Sequence, residues 1–257
     1  MNYLLHKQAK IIFQTEGKHH FFGYYDKCPW SKDGRFLLVH ETDFIDHLPD
    51  GKETARIGFI DLKGDGRFQK LAETRAWNWQ QGSMLQWLGP DFNSKIIFND
   101  FRDGKFVSVI LDISTKEENI IQFPIYAVHP SGQSVLSLDF SLLDEVREGY
   151  GYKGEVINPD DCIYSFNLEG DFKKKAIIFN FNILRNKPID YVDNAKYWVD
   201  HLTFNPSGSH FAFFHRWQLK SGGLYSRLYV ASNDGEIMVR LLDTGMASHF
   251  SWFNNEE

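Results

Sequence analysis

An all-β chain built from repeated four-stranded units is what this sequence predicts, and three observations carry that reading. Aromatic residues make up 16% of the chain, with 23 Phe, 11 Tyr and 7 Trp. Such flat side chains suit sheets stacked roughly 10 Å apart. Apolar residues come in short alternating or continuous runs bounded by Gly, Pro, Asn, Asp and Ser, while helical periodicity is scarce. The same turn-and-strand pattern also recurs along the chain, and recurrence at this scale is the signature of repeat architectures.

The pattern is clearest in DHLTFNPSGSHFAFFHRW, Asp200 to Trp217. Pro206 and Gly208 suit a tight turn, Pro by its fixed φ and Gly by tolerating φ > 0. In the strand that follows, Phe211, Phe213 and His215 share one face and Ala212 and Phe214 the other, so both faces are apolar and belong inside a stack of sheets. This hairpin predicts that His201 and His215 lie at the same edge.

Four further stretches follow it: DKCPWSKDGRFLLVH (Asp26–His40), MLQWLGPDFNSKIIFN (Met84–Asn99), YAVHPSGQSVLSLDF (Tyr126–Phe140) and HFSWFNN (His249–Asn255). Their anchors are Trp30, Trp87, His129, Phe204 and Trp252. Four units continue into a second hairpin, beginning at Ile57, Val107, Cys162 and Arg227. Each complete unit therefore holds four strands, the size of one blade of a β-propeller. The units fall at approximately 19–80, 81–124, 125–185 and 198–245, with the start of another at 247–257, in a single domain. The longest insertion, Leu142 to Asp161, is placed on a blade-connecting loop. A fifth unit that stops after its opening strand leaves two readings. The KIIF segment (Lys10–Phe13) completes the last blade, or the chain is a shortened form of a longer propeller; the second is favoured.

A hydrophobic share of 42%, a charged share of 24% and a net charge of −6 are ordinary for a soluble domain. Without a clustered basic block, nucleic-acid binding is discounted. No apolar run approaches a signal-peptide core or a membrane span, so a cytoplasmic location is the expectation. Cys28 and Cys162 are far apart without paired-thiol spacing and read as buried free thiols.

Functional groups of a propeller gather where its inner strands and loops converge. The candidates are His19, His20, Tyr24, Tyr25 and Asp26; then Trp79, Gln80, Gln81, Asn99, Asp100 and Arg102; then His129, Arg147, Tyr150 and Tyr152; and finally Asp200, His201, His215, Arg216 and His249. His201, His215 and His249 form a natural trio for a divalent ion, since a neutral imidazole ligates through one nitrogen while the other is oriented. Arg102, Arg147 and Arg216 could clamp carboxylates through the guanidinium fork. Tyr24, Tyr25 and Trp79 offer faces for a sugar ring, with Gln81 beside them.

The combination HHFFGYYD…PWSKDG, HLTFNPSG…HRW and SHFSW, from His19 to Trp252, resembles the oligogalacturonate-lyase-like branch of β-propellers. More distantly it is similar to the propeller of the Tol system, and it is most similar to bacterial proteins of the lyase-like branch associated with polysaccharide synthesis. The resemblance implies a seven-bladed propeller holding manganese through several His and a Gln, with an Arg removing the proton beside a uronate carboxylate. Carried over, the metal positions are His201, His215 and His249, and the Arg positions to test are Arg147 and Arg216. The family's second His and Gln of the later cluster have no counterpart in TGMASHFSW. The expected function is binding of an acidic saccharide at the channel mouth, with metal-assisted β-elimination. The alternative is a non-catalytic scaffold for protein partners in a polysaccharide-synthesis complex. An open propeller edge would permit self-association.

Overall fold

A computed structural model describes residues 13–154, 163–170, 175–178 and 195–256. Residues 10–12 of the KIIF segment, residues 155–161 of the long insertion, and Cys162 lie outside these. The first antiparallel sheet holds β1 (His19–Phe21), β2 (Phe36–Thr42), β3 (Ala55–Asp61) and β4 (Phe68–Thr74). The second holds β5 (Gln86–Trp87), β6 (Lys95–Arg102), β7 (Lys105–Asp112) and β8 (Glu118–Ile121). In the third, β9 (Ala127–Val128) and β10 (Ser134–Ser137) are followed by helix α1 (Phe140–Val146), β11 (Ile163–Asn167) and β12 (Lys175–Ile178). The fourth holds β13 (Lys196–Phe204), β14 (His210–Gln218), β15 (Leu224–Ser232) and β16 (Met238–Gly245). Each sheet runs in chain order from inner to outer strand, the wiring of a propeller blade.

The repeat is written into the backbone. Before the second strand of each blade, one N–H reaches over the turn to the strand's first carbonyl: Ser31 to Phe36 (2.9 Å), Leu88 to Lys95 (2.9 Å), His129 to Ser134 (2.8 Å) and Asn205 to His210 (2.9 Å). The residue just before each donor is then Trp30, Trp87, Val128 or Phe204. The third anchor is thus Val128 rather than His129, because aligning by the aromatic-like ring slips the register by one residue. The blades are also tied in sequence. The Trp87 indole donates to the Pro29 carbonyl at 3.0 Å, and the Trp252 indole donates to the Thr203 carbonyl at 3.1 Å. Pro29 and Thr203 are equivalent positions, so Trp252 stands against the fourth blade as Trp87 stands against the first. The segment after β16 occupies the place of a fifth opening strand.

Why both faces of the strands are apolar follows from the stacking. Leu38, Ile57 and Phe59 of the first blade pack on Leu85, Trp87, Ile96 and Phe98 of the second. Ile97, on the opposite face of β6, joins Tyr126, Val135, Phe166, Phe211 and Phe213 in a core shared by the second, third and fourth blades. Two expectations are corrected. The long insertion lies inside the third blade, between β10 and β11, and takes in most of α1, whose start is capped by the Asp139 side chain accepting from Leu142 N–H. A short Asp-capped turn carries too little periodicity to be read as a helix. Cys28 is exposed instead of buried, because it precedes the turn at the channel rim.

Two tests of this packing follow. Gly132 has φ +75° and an added Cβ would sit 2.1 Å from the Gly89 carbonyl oxygen. Gly132→Ala is expected to cost on the order of 2 kcal/mol or more, read as a lowered melting temperature. His40 is fully buried between the first two blades and accepts the Ser83 N–H at 3.2 Å. Burial lowers its pKa to about 4. The unfolded chain, with an ordinary value near 6.5, binds the proton more readily, so this contribution is intact above about pH 6.5 and is lost as pH falls toward 4. Denaturant titrations at pH 7 and pH 4.5 should show a loss of roughly 2–3 kcal/mol, largely absent in His40→Asn.

Candidate functional site

The inner strands converge on one space. A cavity of ≈ 270 Å³ is lined by Asp26 and Lys27 from the first blade, Gln86 from the second, Ala127, Val128 and Pro130 from the third, Leu202 to Pro206 from the fourth, and Ser251 and Trp252 from the segment beyond it. Tyr25, from the first blade, donates its hydroxyl to the Phe250 carbonyl of the segment beyond the fourth at 3.1 Å.

At the mouth of this channel β13 is interrupted. Its pairing with β14 slips between Asp200 and Thr203, and His201 has φ 58°. A bulge re-aims a side chain out of the alternating pattern. Here it turns the imidazole, itself buried, under the rings at the mouth, edge-on to Tyr24 with ring centroids 5.0 Å apart and 5.8 Å from the Tyr150 ring. The backbone is pinned as it turns, the His201 N–H donating to the Tyr126 hydroxyl at 2.8 Å while the Gln81 amide donates to the same oxygen at 2.6 Å.

Beneath His201 lies Asp200, fully buried. Its carboxylate accepts from His201 Nδ1 at 2.7 Å, Arg216 Nε at 2.9 Å, Trp198 Nε1 at 3.0 Å and Arg147 Nη1. Burial by itself pushes the carboxyl up. The neighbouring His201 imidazole, with Arg216 and Arg147, more than reverses this and holds it well below the usual carboxylate range. Two guanidiniums against one carboxylate leave local positive charge. Arg147 comes from the residue that ends α1, and its guanidinium lies 3.6 Å above the Tyr150 ring. With Nδ1 held by Asp200, Nε2 is the nitrogen of His201 left for proton exchange. Burial, with Tyr25 and Tyr150 adding to it, raises the Tyr24 phenol, so it stays protonated.

The sequence candidates divide. Tyr24, Tyr25, Tyr150, Arg147, Asp200, His201 and His249 meet at the mouth, where Tyr24 stacks on His249 at 6.5 Å and Tyr25 lies 5.9 Å from it. Arg216 reaches the cluster only through Asp200. His215 does not join. It pairs with Val199, one position from the Asp200–Phe214 pair, and so points through the other face, where it stacks on Tyr197 at 5.7 Å. The trio is therefore not assembled, because the bulge turns His201 while His215 keeps its place in the pleat. Trp79 is also elsewhere: its indole donates to the His47 carbonyl at 2.7 Å, and its ring packs on Trp77, Phe44 and Phe21. Arg102 is held by Asp100 at 2.7 Å and Glu118 at 2.8 Å on the second blade. Gln81 is buried and braces Tyr126 rather than lining the mouth. Among the described residues no group of three or more His, Cys, Asp and Glu is placed to hold a metal ion. Lys27 and Tyr126 were not anticipated. Tyr126 reads as a core aromatic, and only its hydroxyl distinguishes it from the phenylalanines around it.

The chain matches no family model and no curated protein. Among solved structures it is similar to TolB from Acinetobacter baumannii (TM-score 0.44, 12% identity, 89% of this chain and 55% of that one). It is also similar to a putative dipeptidyl aminopeptidase IV from Bacteroides ovatus (0.44, 12%, 87% and 29%). A third is the periplasmic gluconolactonase PpgL from Pseudomonas aeruginosa (0.33, 10%, 83% and 83%). The chain spans about half or less of the first two. Likeness at this level adds nothing to the fold read from the strands themselves. No helix among the described residues is long and apolar enough to cross a membrane.

Asp200→Asn leaves two guanidiniums facing a neutral amide in a buried site. It should cost roughly 3–5 kcal/mol in denaturant unfolding at pH 7. Because the native carboxyl is held low, the wild-type contribution is intact above about pH 4 and lost only as the solution becomes strongly acidic.

Proposed function

We propose that the channel mouth binds an acidic saccharide and that His201 exchanges a proton with it. One observation carries this reading: His201, oriented through Nδ1 by buried Asp200, lies just under the Tyr24 and Tyr150 rings, with Arg147 held against the same carboxylate. Tyrosine rings offer apolar faces to a pyranose, and the local positive charge suits a uronate carboxylate. The chemistry that fits is β-elimination. Nε2 of His201 takes the proton on the carbon beside the carboxylate, the electron pair forms a carbon–carbon double bond, and the glycosidic oxygen departs and takes a proton from water. Arg147 and Arg216 act here as positioning residues that hold Asp200, a role better suited to guanidiniums, which keep their protons at neutral pH.

A second reading, a scaffold for a protein partner, is favoured by the apolar residues on the outer strands of the fourth blade, where Leu224, Val239, Leu241 and Leu242 are 46–55% exposed. Exposed apolar rows mark interaction surfaces.

The readings separate by calorimetry and by the absorbance of unsaturated uronate. Oligogalacturonate should bind the wild type, with affinity lowered about tenfold or more in Tyr24→Ala, while a neutral oligomer of equal length binds more weakly. His201→Gln should keep binding within about threefold and slow product formation by roughly 10²–10⁴-fold. Binding without any unsaturated product from the wild type would remove the catalytic half of the proposal. Absence of binding would leave the scaffold reading.

A further inference from the structure

Behind the mouth, the channel cavity carries its own polar groups, which adjoin the His201 cluster where Lys27 lies 5.4 Å from the Tyr126 ring centroid. Asp26 and Lys27 form an ion pair at 2.8 Å with both side chains only 9% exposed. Lys27 takes one carboxylate oxygen; the other, Oδ1 of Asp26, is buried and accepts no hydrogen bond. A buried acceptor without a donor is costly. Asp26 also lines the cavity, so its carboxylate is an under-satisfied acceptor next to space that admits a molecule. The same wall includes Gln86, Thr203 and Asn205, together with the apolar residues Val128, Pro130, Pro206 and Trp252.

We infer that this cavity is a subsite for one neutral, hydroxyl-bearing ring, with the Asp26 carboxylate accepting from a ring hydroxyl and Trp252 and the prolines covering the apolar face. An acceptor and a cation side by side match a hydroxyl pair, one donating to the carboxylate and the other accepting from the ammonium. Charge argues for neutrality, since Asp26 and Lys27 already cancel, whereas the mouth keeps an excess of positive charge. Size argues for a single ring. At ≈ 270 Å³ the cavity lies just below the roughly 300–1,000 Å³ that accommodates drug-sized molecules. The inference rests on the saccharide reading of the mouth and extends it: a uronate at His201 would be joined to a neutral sugar lying in the channel.

The test uses the whole protein and two probes, galacturonate for the mouth and methyl glycosides of glucose, galactose and mannose for the channel, with binding followed by ligand-observed NMR and the Trp252 indole by protein-observed NMR. At least one methyl glycoside should bind the wild type and shift the Trp252 indole N–H resonance. Asp26→Asn, close to isosteric, should weaken it tenfold or more, and Val128→Phe, which adds bulk at the cavity wall, should abolish it. Galacturonate binding should change by less than about threefold in both variants. The inference is overturned if no neutral glycoside binds the wild type, if binding leaves the Trp252 resonance unmoved, or if both folded variants bind as the wild type does. Should either variant fail to fold, the other together with the Trp252 shift decides. Loss of galacturonate binding with the neutral ring retained would instead refute the mouth reading and leave the channel subsite standing.

Discussion

The buried carboxylate of Asp200 is the constraint on which the mouth depends. An anion removed from water is tolerable only when its charge and lone pairs are met, and here an imidazole, an indole and two guanidiniums meet them from three directions. Satisfying that charge fixes the His201 ring, brings the end of α1 against the fourth blade through Arg147, and locks Arg216 in the sheet. The bulge in β13 would have little meaning without it. A residue at positive φ is strained, and His201 is kept there by the Tyr126 hydroxyl on its backbone and by Asp200 on its ring.

The blades supply the frame in which such a knot can form. Their inner strands converge because the outer faces of neighbouring sheets pack on one another, and the repeated turn bonds keep equivalent residues at equivalent heights. The mouth and the channel behind it therefore draw on first strands and adjoining turns from positions far apart in the chain. Positive charge gathers at the mouth, while the channel is electrically balanced, so one axis offers two chemically different environments in succession.

Much of this architecture was legible in the residues. The Pro-Ser-Gly turn at Pro206 to Gly208, the split of Phe211, Phe213 and His215 from Ala212 and Phe214, and the second hairpins from Ile57, Val107 and Arg227 all follow from period and turn chemistry. What escaped did so for identifiable reasons. A bulge shifts the pleat by one residue and sends His201 and His215 to opposite faces, and no local pattern at Asp200–Thr203 announces it. His129 mimicked an aromatic anchor and concealed Val128. Trp79 and Arg102 had suitable chemistry, but their neighbours in space, His47 in one case and Asp100 with Glu118 in the other, are set by strand pairing. Tyr126 and Lys27 had no distinguishing spacing at all, and their importance appears only when the first strands are brought around the axis.

The hydrogen bond from Tyr25 to the Phe250 carbonyl joins residues separated by 225 positions. Closing a loop of that length costs chain entropy, which the sheets formed in between reduce. The tyrosine pair and His249 are thus held together by the packing of the blades between them and not by local sequence. A molecule that recognises these residues would consequently depend on the packing of several sheets at once rather than on any one of them.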